Sequence, residues 1–217
     1  MSLFVRVDDF PGTKPEEFDK HNLENFKRFH HYLINFDNFR YTLGVIPGYT
    51  SRKDLLWLAD QNIAIALHGT VHSEEHLDEF YGMQYGDIEN ALLNAKSFLE
   101  SHTGTHIIDY IPPHNTINAD TVLALYRLGF KRIYGGPETD PAMKELIKIY
   151  EMEYIHSEPP LEYGRTDELM KRGAIEYLIK ESADRDVMLT LHWTWEYNIG
   201  LLWLQRFMSV LNTSRIF

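Results

Sequence analysis

Cysteine is absent from all 217 residues of the chain. That removes disulfide frameworks, thiolate metal sites and cysteine nucleophiles together. A surplus of basic residues is missing too: 21 Lys and Arg stand against 32 Asp and Glu, a net charge of −11. Nucleic acid or an anionic membrane surface is therefore a poor partner, since such binding draws on surface cations. No stretch reaches the ~18 apolar residues of a membrane span. The opening Met-Ser-Leu-Phe-Val-Arg-Val-Asp meets charge too soon to form the apolar region of a signal peptide, so the expectation is a cytoplasmic protein with no transmembrane segment. No low-complexity linker, charge block or internal repeat interrupts the chain. With 44% apolar and 13% aromatic residues it can fill a sizeable core, and one domain over residues 1–217 is expected.

Short apolar runs alternate with helical patterns along the whole chain. Strands are expected at Leu3–Asp9, Tyr41–Ile46, Ile63–His68, Asp109–Pro112, Lys131–Tyr134, Ile147–Tyr154 and Val187–Trp193. Helical stretches follow them: Glu16–Phe36, Arg52–Gln61 after Ser51, Asp87–His102, Ala119–Leu128 behind an Asn118 cap, Ala142–Leu146, Asp167–Ala183 and Leu201–Leu211. Seven strands, each followed by a helix, fit an open doubly wound sheet or a (β/α) barrel with one unit missing. No glycine-rich phosphate loop follows the first strand, and that favours the barrel.

In such barrels the reactive groups gather where the strands end. The first strand ends in "RVDDFPG", placing Asp8 and Asp9 side by side. The third runs into "ALHGTVHSEEH" with His68 and His72, the fourth into "YIPPHN" with His114 and Asn115, and the seventh into "LTLHWTW" with His192. Taken singly, each has a plain structural explanation. Asp before Phe-Pro-Gly suits a turn, a His-x-x-x-His spacing arises by chance among eleven histidines, and one histidine on a strand is commonly a hydrogen-bonded core residue. Gathering at the same end of different strands is what those explanations leave out. One carboxylate and two imidazoles suit a catalytic Zn²⁺ with positions left for water and substrate, and equally the ligand set of a non-haem Fe(II) oxygenase.

The Asp8-Asp9 pair, His68-x-x-x-His72 and Leu189-x-x-His192 resemble, in order and placement, three motifs of the polysaccharide deacetylase family of carbohydrate esterases. "LHGTVHSEEHLDEF" and "IPPHN" look closer to a divergent branch of it. The resemblance implies a deformed (β/α)7 barrel in which Asp9, His68 and His72 bind a divalent metal, most often zinc, with cobalt, nickel or iron as the other candidates. It makes Asp8 the general base and His192 the general acid in removing an N-acyl, typically N-acetyl, group from an amino sugar or a surface-polysaccharide precursor. The expected cytoplasmic location points to an intracellular precursor, such as a lipid-linked or nucleotide-linked sugar of lipopolysaccharide biosynthesis. His114, Asn115 and Trp193 are expected at the substrate, and His76 is a further imidazole within reach if its segment is helical. Two features depart from the family pattern. Asp109–Asn115 carries no Arg to hold the base carboxylate, and no counterpart of the fourth motif is found. Strand alternation puts Arg6 on the face of Asp8, where it could hold that carboxylate or pair elsewhere at the barrel base. The missing motifs also leave room for a catalytically degenerate glycan-binding or assembly protein on the same scaffold.

Overall fold

Val5-Arg6-Val7-Asp8, Leu43-Gly44-Val45, Ile65-Ala66-Leu67-His68 and Leu189-Thr190-Leu191-His192 share one pattern. A large aliphatic residue alternates with one that is small or polar. Because successive strand residues point to opposite faces, the aliphatics can cover an outer layer while the others crowd a narrow interior. The computed structural model, which describes residues 3–12, 22–35, 40–73, 75–158 and 187–198 together with 180, 205 and 209, has that arrangement. Parallel strands β1 (Leu3–Phe10), β2 (Tyr41–Val45), β3 (Ala64–His68), β4 (Asp109–Ile111), β5 (Arg132–Gly135), β6 (Glu153–Glu158) and β7 (Val187–His192) pair in sequence order, and β7 pairs back onto β1 to close a barrel. Helices α1 (Asn22–Ile34), α2 (Arg52–Ala59), α3 (Tyr85–Thr103), α4 (Ala119–Arg127), α5 (Pro141–Ile149) and α6 (Trp193–Asn198) follow their strands. The architecture is a (β/α)7 barrel, the one of the two arrangements that the missing glycine-rich loop favoured and the resemblance implied.

The buried apolar residues divide accordingly. The larger cluster includes Val5, Val7, Leu43, Val45, Ile65, Leu67, Leu189 and Leu191 with Phe26, Phe29, Leu55 and Leu92 from the helices. The smaller one, Ala66, Ile111, Tyr134 and Met188, lies within the barrel. The polar interior residues find partners across it. Ser157 and Thr190 share a short hydroxyl hydrogen bond, and Arg132 makes two hydrogen bonds to the buried Asp109 carboxylate, 2.6 and 2.8 Å.

Caps fall where the sequence placed them. Ser51 and Asp54 form a reciprocal capping box at α2, and the Asn118 side chain accepts from Thr121 N–H at α4. The sixth strand needs correction. The apolar run from Ile147 belongs to α5, and β6 begins at Glu153. Met143, Leu146, Ile147 and Tyr150 pack on the core at helical spacing, started by Asp140 accepting from Ala142 N–H and by Pro141 in the first turn. The seventh strand likewise ends at His192, and Trp193 opens a helix. The helices expected at Asp167–Ala183 and Leu201–Leu211 lie outside the continuously described residues, as does the start of the one expected from Glu16.

Candidate metal centre

Alternation would send Asp8 and Asp9 to opposite faces of β1. The chain avoids this with an irregularity in pairing: the register with β2 shifts between Val7 and Phe10, and Asp9 takes a left-handed backbone, φ 68°. Asp is among the residues that tolerate this conformation, and such bulges re-aim side chains at strand ends. Asp8, in register with His192 of β7, and Asp9 are both buried. The turn after them therefore explains only part of "DDFPG", since β1 continues through Phe10.

Asp9 meets the two histidines expected of it. His68 Nε2 is 3.0 Å from Asp9 Oδ1 and His72 Nε2 is 3.5 Å from the same oxygen. One ligand atom from each of the three residues lies within 4.8 Å of the others, and all three residues are buried. Room for the His68 ring comes from β2, because a Cβ on Gly44 would stand 3.3 Å from His68 Cβ and Cγ. His68 Nδ1 is 3.0 Å from the Ile111 carbonyl, to which it must donate. Nε2 in turn donates to the Asp9 carboxylate in the metal-free protein, and once that proton is lost the ring can ligate through Nε2 while Nδ1 stays oriented by the Ile111 carbonyl. The donor set fits a divalent cation of the zinc type.

Without an ion the three groups titrate against one another. Burial alone would raise the Asp9 carboxyl, but the His192 charge, the hydrogen bond from His68 and the charges of His68 and His72 outweigh it and hold Asp9 well below the usual carboxylate range. His68 is pulled down by burial and pushed up further by its hydrogen bond to Asp9 and by the charges of Asp8 and Asp9, so it ends raised. His72 is lowered to about 4, by burial first and then by the neighbouring His68 charge.

Asp8 has different company. Arg6 Nη2 lies 3.1 Å from Asp8 Oδ2, with both side chains almost fully enclosed. The guanidinium also donates to the Tyr134 carbonyl (3.0 Å) and to Asn115 Oδ1 (2.7 Å). Asn115 in turn donates through Nδ2 to Glu138 Oε2 at 3.0 Å, which fixes its amide with the oxygen toward Arg6. Asp8 Oδ1 has no hydrogen-bond partner among the described residues, and the other buried side-chain atoms in that condition, Arg6 Nε and His72 Nδ1, belong to the same site. Buried polar atoms are rarely left so, and their concentration here marks a place built for something other than stability.

The remaining candidates divide. His192, partly exposed, has its Nε2 3.8 Å from Asp9 Oδ2, beside the cluster. The His114 ring lies 4.7 Å from that of His72, with its Nε2 3.2 Å from the Ser73 carbonyl. Asn115, expected at the substrate, is hydrogen-bonded to Arg6 and Glu138. Trp193, expected there too, is enclosed: it is 2% exposed, packs edge-on against Phe26 and donates its indole N–H to the Asp9 carbonyl at 2.9 Å. His76 packs on Tyr81 and is not part of the cluster. Glu138 went unnoticed in the sequence, where an acidic residue in a βα loop carries no distinguishing signal.

No family model and no curated protein matches the sequence. Solved structures do match its fold. PuuE allantoinase aligns over 97% of this chain and 84% of its own at 13% identity, with a TM-score of 0.71. A candidate polysaccharide deacetylase from Mycobacterium smegmatis aligns over the same shares at 16% identity and TM-score 0.66. A family 4 carbohydrate esterase from Streptomyces lividans, solved with acetate, aligns over 98% of this chain and 88% of its own at 10% identity and TM-score 0.54. Pseudoenzymes of that esterase family share the fold as well. At these identities the likeness is one of fold.

Proposed function

We propose that this protein is a metal-dependent amide hydrolase that removes an N-acyl group, in the first instance N-acetyl, from an amino sugar or a surface-polysaccharide precursor. The observation that carries this reading is the buried convergence of Asp9, His68 and His72 beside a carboxylate, Asp8, whose Oδ1 has no partner among the described residues. The deacetylase and esterase named among the fold's relatives support a sugar as substrate.

Asp9, His68 and His72 would hold the cation. Bound there, a divalent ion lowers the pKa of water from about 15.7 toward 7 and polarises the acyl oxygen. Asp8 Oδ1 accepts the proton of the water that attacks the acyl carbon, and His192 donates a proton to the nitrogen as the C–N bond breaks. Arg6 holds Asp8 through its other oxygen, leaving Oδ1 free to act. Asp8 and His192 approach from adjacent strands, β1 and β7, in register.

The test is acetate release from N-acetylated amino sugars, with allantoin as a comparison substrate. Activity is expected to vanish on chelation and return with Zn²⁺. A protein that takes up no divalent metal yet still binds sugar would instead be the glycan-binding protein the missing motifs leave room for.

Arg6 supplies a sharper expectation. Arg6 holds one Asp8 oxygen in place, so Arg6→Met should lower kcat about 10- to 100-fold, the usual scale for the partner of a site residue, with metal content unchanged. Arg6→Lys, which keeps the charge but not the fork, should fall between. Full activity in Arg6→Met would remove Arg6 from the site.

A further inference from the structure

His72 is reached through a loop with little reason of its own to hold one shape. Residues 69–73 leave β3 without regular structure, Gly69 has φ 61° and His72 has φ 49°, a region a non-glycine residue adopts only when its surroundings impose it. What surrounds this loop is the side chain of Glu79. Its Oε1 accepts from Thr70 N–H (2.8 Å), Thr70 Oγ1–H (2.5 Å) and Val71 N–H (2.7 Å), and its Oε2 from Thr70 N–H at 3.0 Å. Consecutive amides turned onto one carboxylate form a small anion-binding nest. Gly69 is needed for the approach, since a Cβ there would collide with Glu79 Oε2. On the other side, Gly48 N–H donates to the Thr70 carbonyl at 2.8 Å. Thr70 is thus clamped from two directions, two residues before His72.

We propose that Glu79 is the positioning residue for His72: its carboxylate gathers the turn at Thr70–Val71 and thereby presents the His72 imidazole to the position shared with Asp9 and His68. The proposal rests on the metal-site reading above. Among the described residues the Glu79 carboxylate bonds to Thr70 and Val71 and not to Asp9, His68 or His72, so it acts through the loop. A glutamine at 79 has the same size, but its amide carries no charge and offers one acceptor oxygen where Glu79 uses two.

The experiment measures Zn²⁺ affinity by chelator competition, and the visible absorption of Co²⁺ bound in place of zinc, in wild type, Glu79→Gln and Glu79→Asp, with thermal unfolding of each metal-free protein. Cobalt absorption reports ligand number and geometry without turnover. Glu79→Gln is expected to remain folded when metal-free, to bind Zn²⁺ about 10- to 100-fold more weakly, and to show a changed Co²⁺ spectrum, as His72 is held less well at the ion. Glu79→Asp, which keeps the charge but is too short to reach both amides, should fall between wild type and Glu79→Gln. Two results overturn the proposal: wild-type affinity and an unaltered Co²⁺ spectrum in Glu79→Gln, or failure of its metal-free form to fold. If wild type itself takes up no Zn²⁺ or Co²⁺, the metal-site reading falls and the proposal with it. Wild-type binding together with unaffected variants would sink the positioning role alone.

Discussion

Asp8→Asn is expected to abolish acetate release while leaving the protein able to bind its metal. The loss should be about 10²- to 10⁴-fold in kcat, the range for removal of a general base. Asparagine keeps the shape of the side chain and an oxygen for Arg6, 3.1 Å from Asp8 Oδ2 in the native protein, but it cannot take a proton from water. Metal content separates this variant from a broken site, because Asp8 is not one of the three clustered donors. Near-native activity in Asp8→Asn with bound zinc would exclude Asp8 as the base. Loss of zinc together with activity would move Asp8 into the ligand set.

The second large effect concerns the ligands. His68→Ala should lower Zn²⁺ affinity by several orders of magnitude and eliminate activity, since it removes one of three donors and leaves Asp9 without its 3.0 Å partner. The same histidine gives metal uptake a pH dependence of defined sign. In the metal-free protein the pKa of His68 is raised and Asp9 is held ionised beside it, so below the raised pKa a cation must displace the His68 proton. Zinc binding should therefore weaken as pH falls through that pKa and release a proton there. His72, lowered to about 4, is already neutral at that point and adds nothing to the release. Calorimetry in buffers of different ionisation enthalpy counts the protons. A wild-type affinity in His68→Ala, or an affinity that rises on acidification, would contradict the assignment.

The barrel was legible because its strands advertise both faces. Val5, Val7, Leu189 and Leu191 supply the outer layer, and the interruptions at Arg6, Asp8, Thr190 and His192 mark the inner one. The sixth strand was misplaced because Ile147 and its neighbours satisfy a helical and an extended period alike over so short a run. The Asp140-Pro141 start decides between them. At the site, Asp8, Asp9, His68, His72 and His192 stood out because each lies near the C-terminal end of a strand or in the loop just beyond it. Arg6 could be inferred from alternation alone, two residues before Asp8. Asn115, Glu138 and Glu79 could not, because each meets its partner through a loop whose path nothing local fixes: Asn115 lies 109 positions from Arg6 in sequence, and Glu79 reaches back nine to Thr70. Trp193 misled for another reason. An aromatic beside a catalytic-looking histidine suggests a surface for a sugar, but the helix that begins at Trp193 turns it inward onto Phe26.

The left-handed backbone of Asp9 bears on how such a protein changes under selection. A residue with a side chain costs roughly 1 kcal/mol more than glycine in that conformation. The contact that anchors the segment, from the Trp193 indole to the Asp9 carbonyl, is made to the backbone and survives any replacement. The side chain is a different matter: glycine at position 9 would relieve the backbone but leave the buried His68 Nε2 without its 3.0 Å partner, so one carboxylate serves both the site and the local packing.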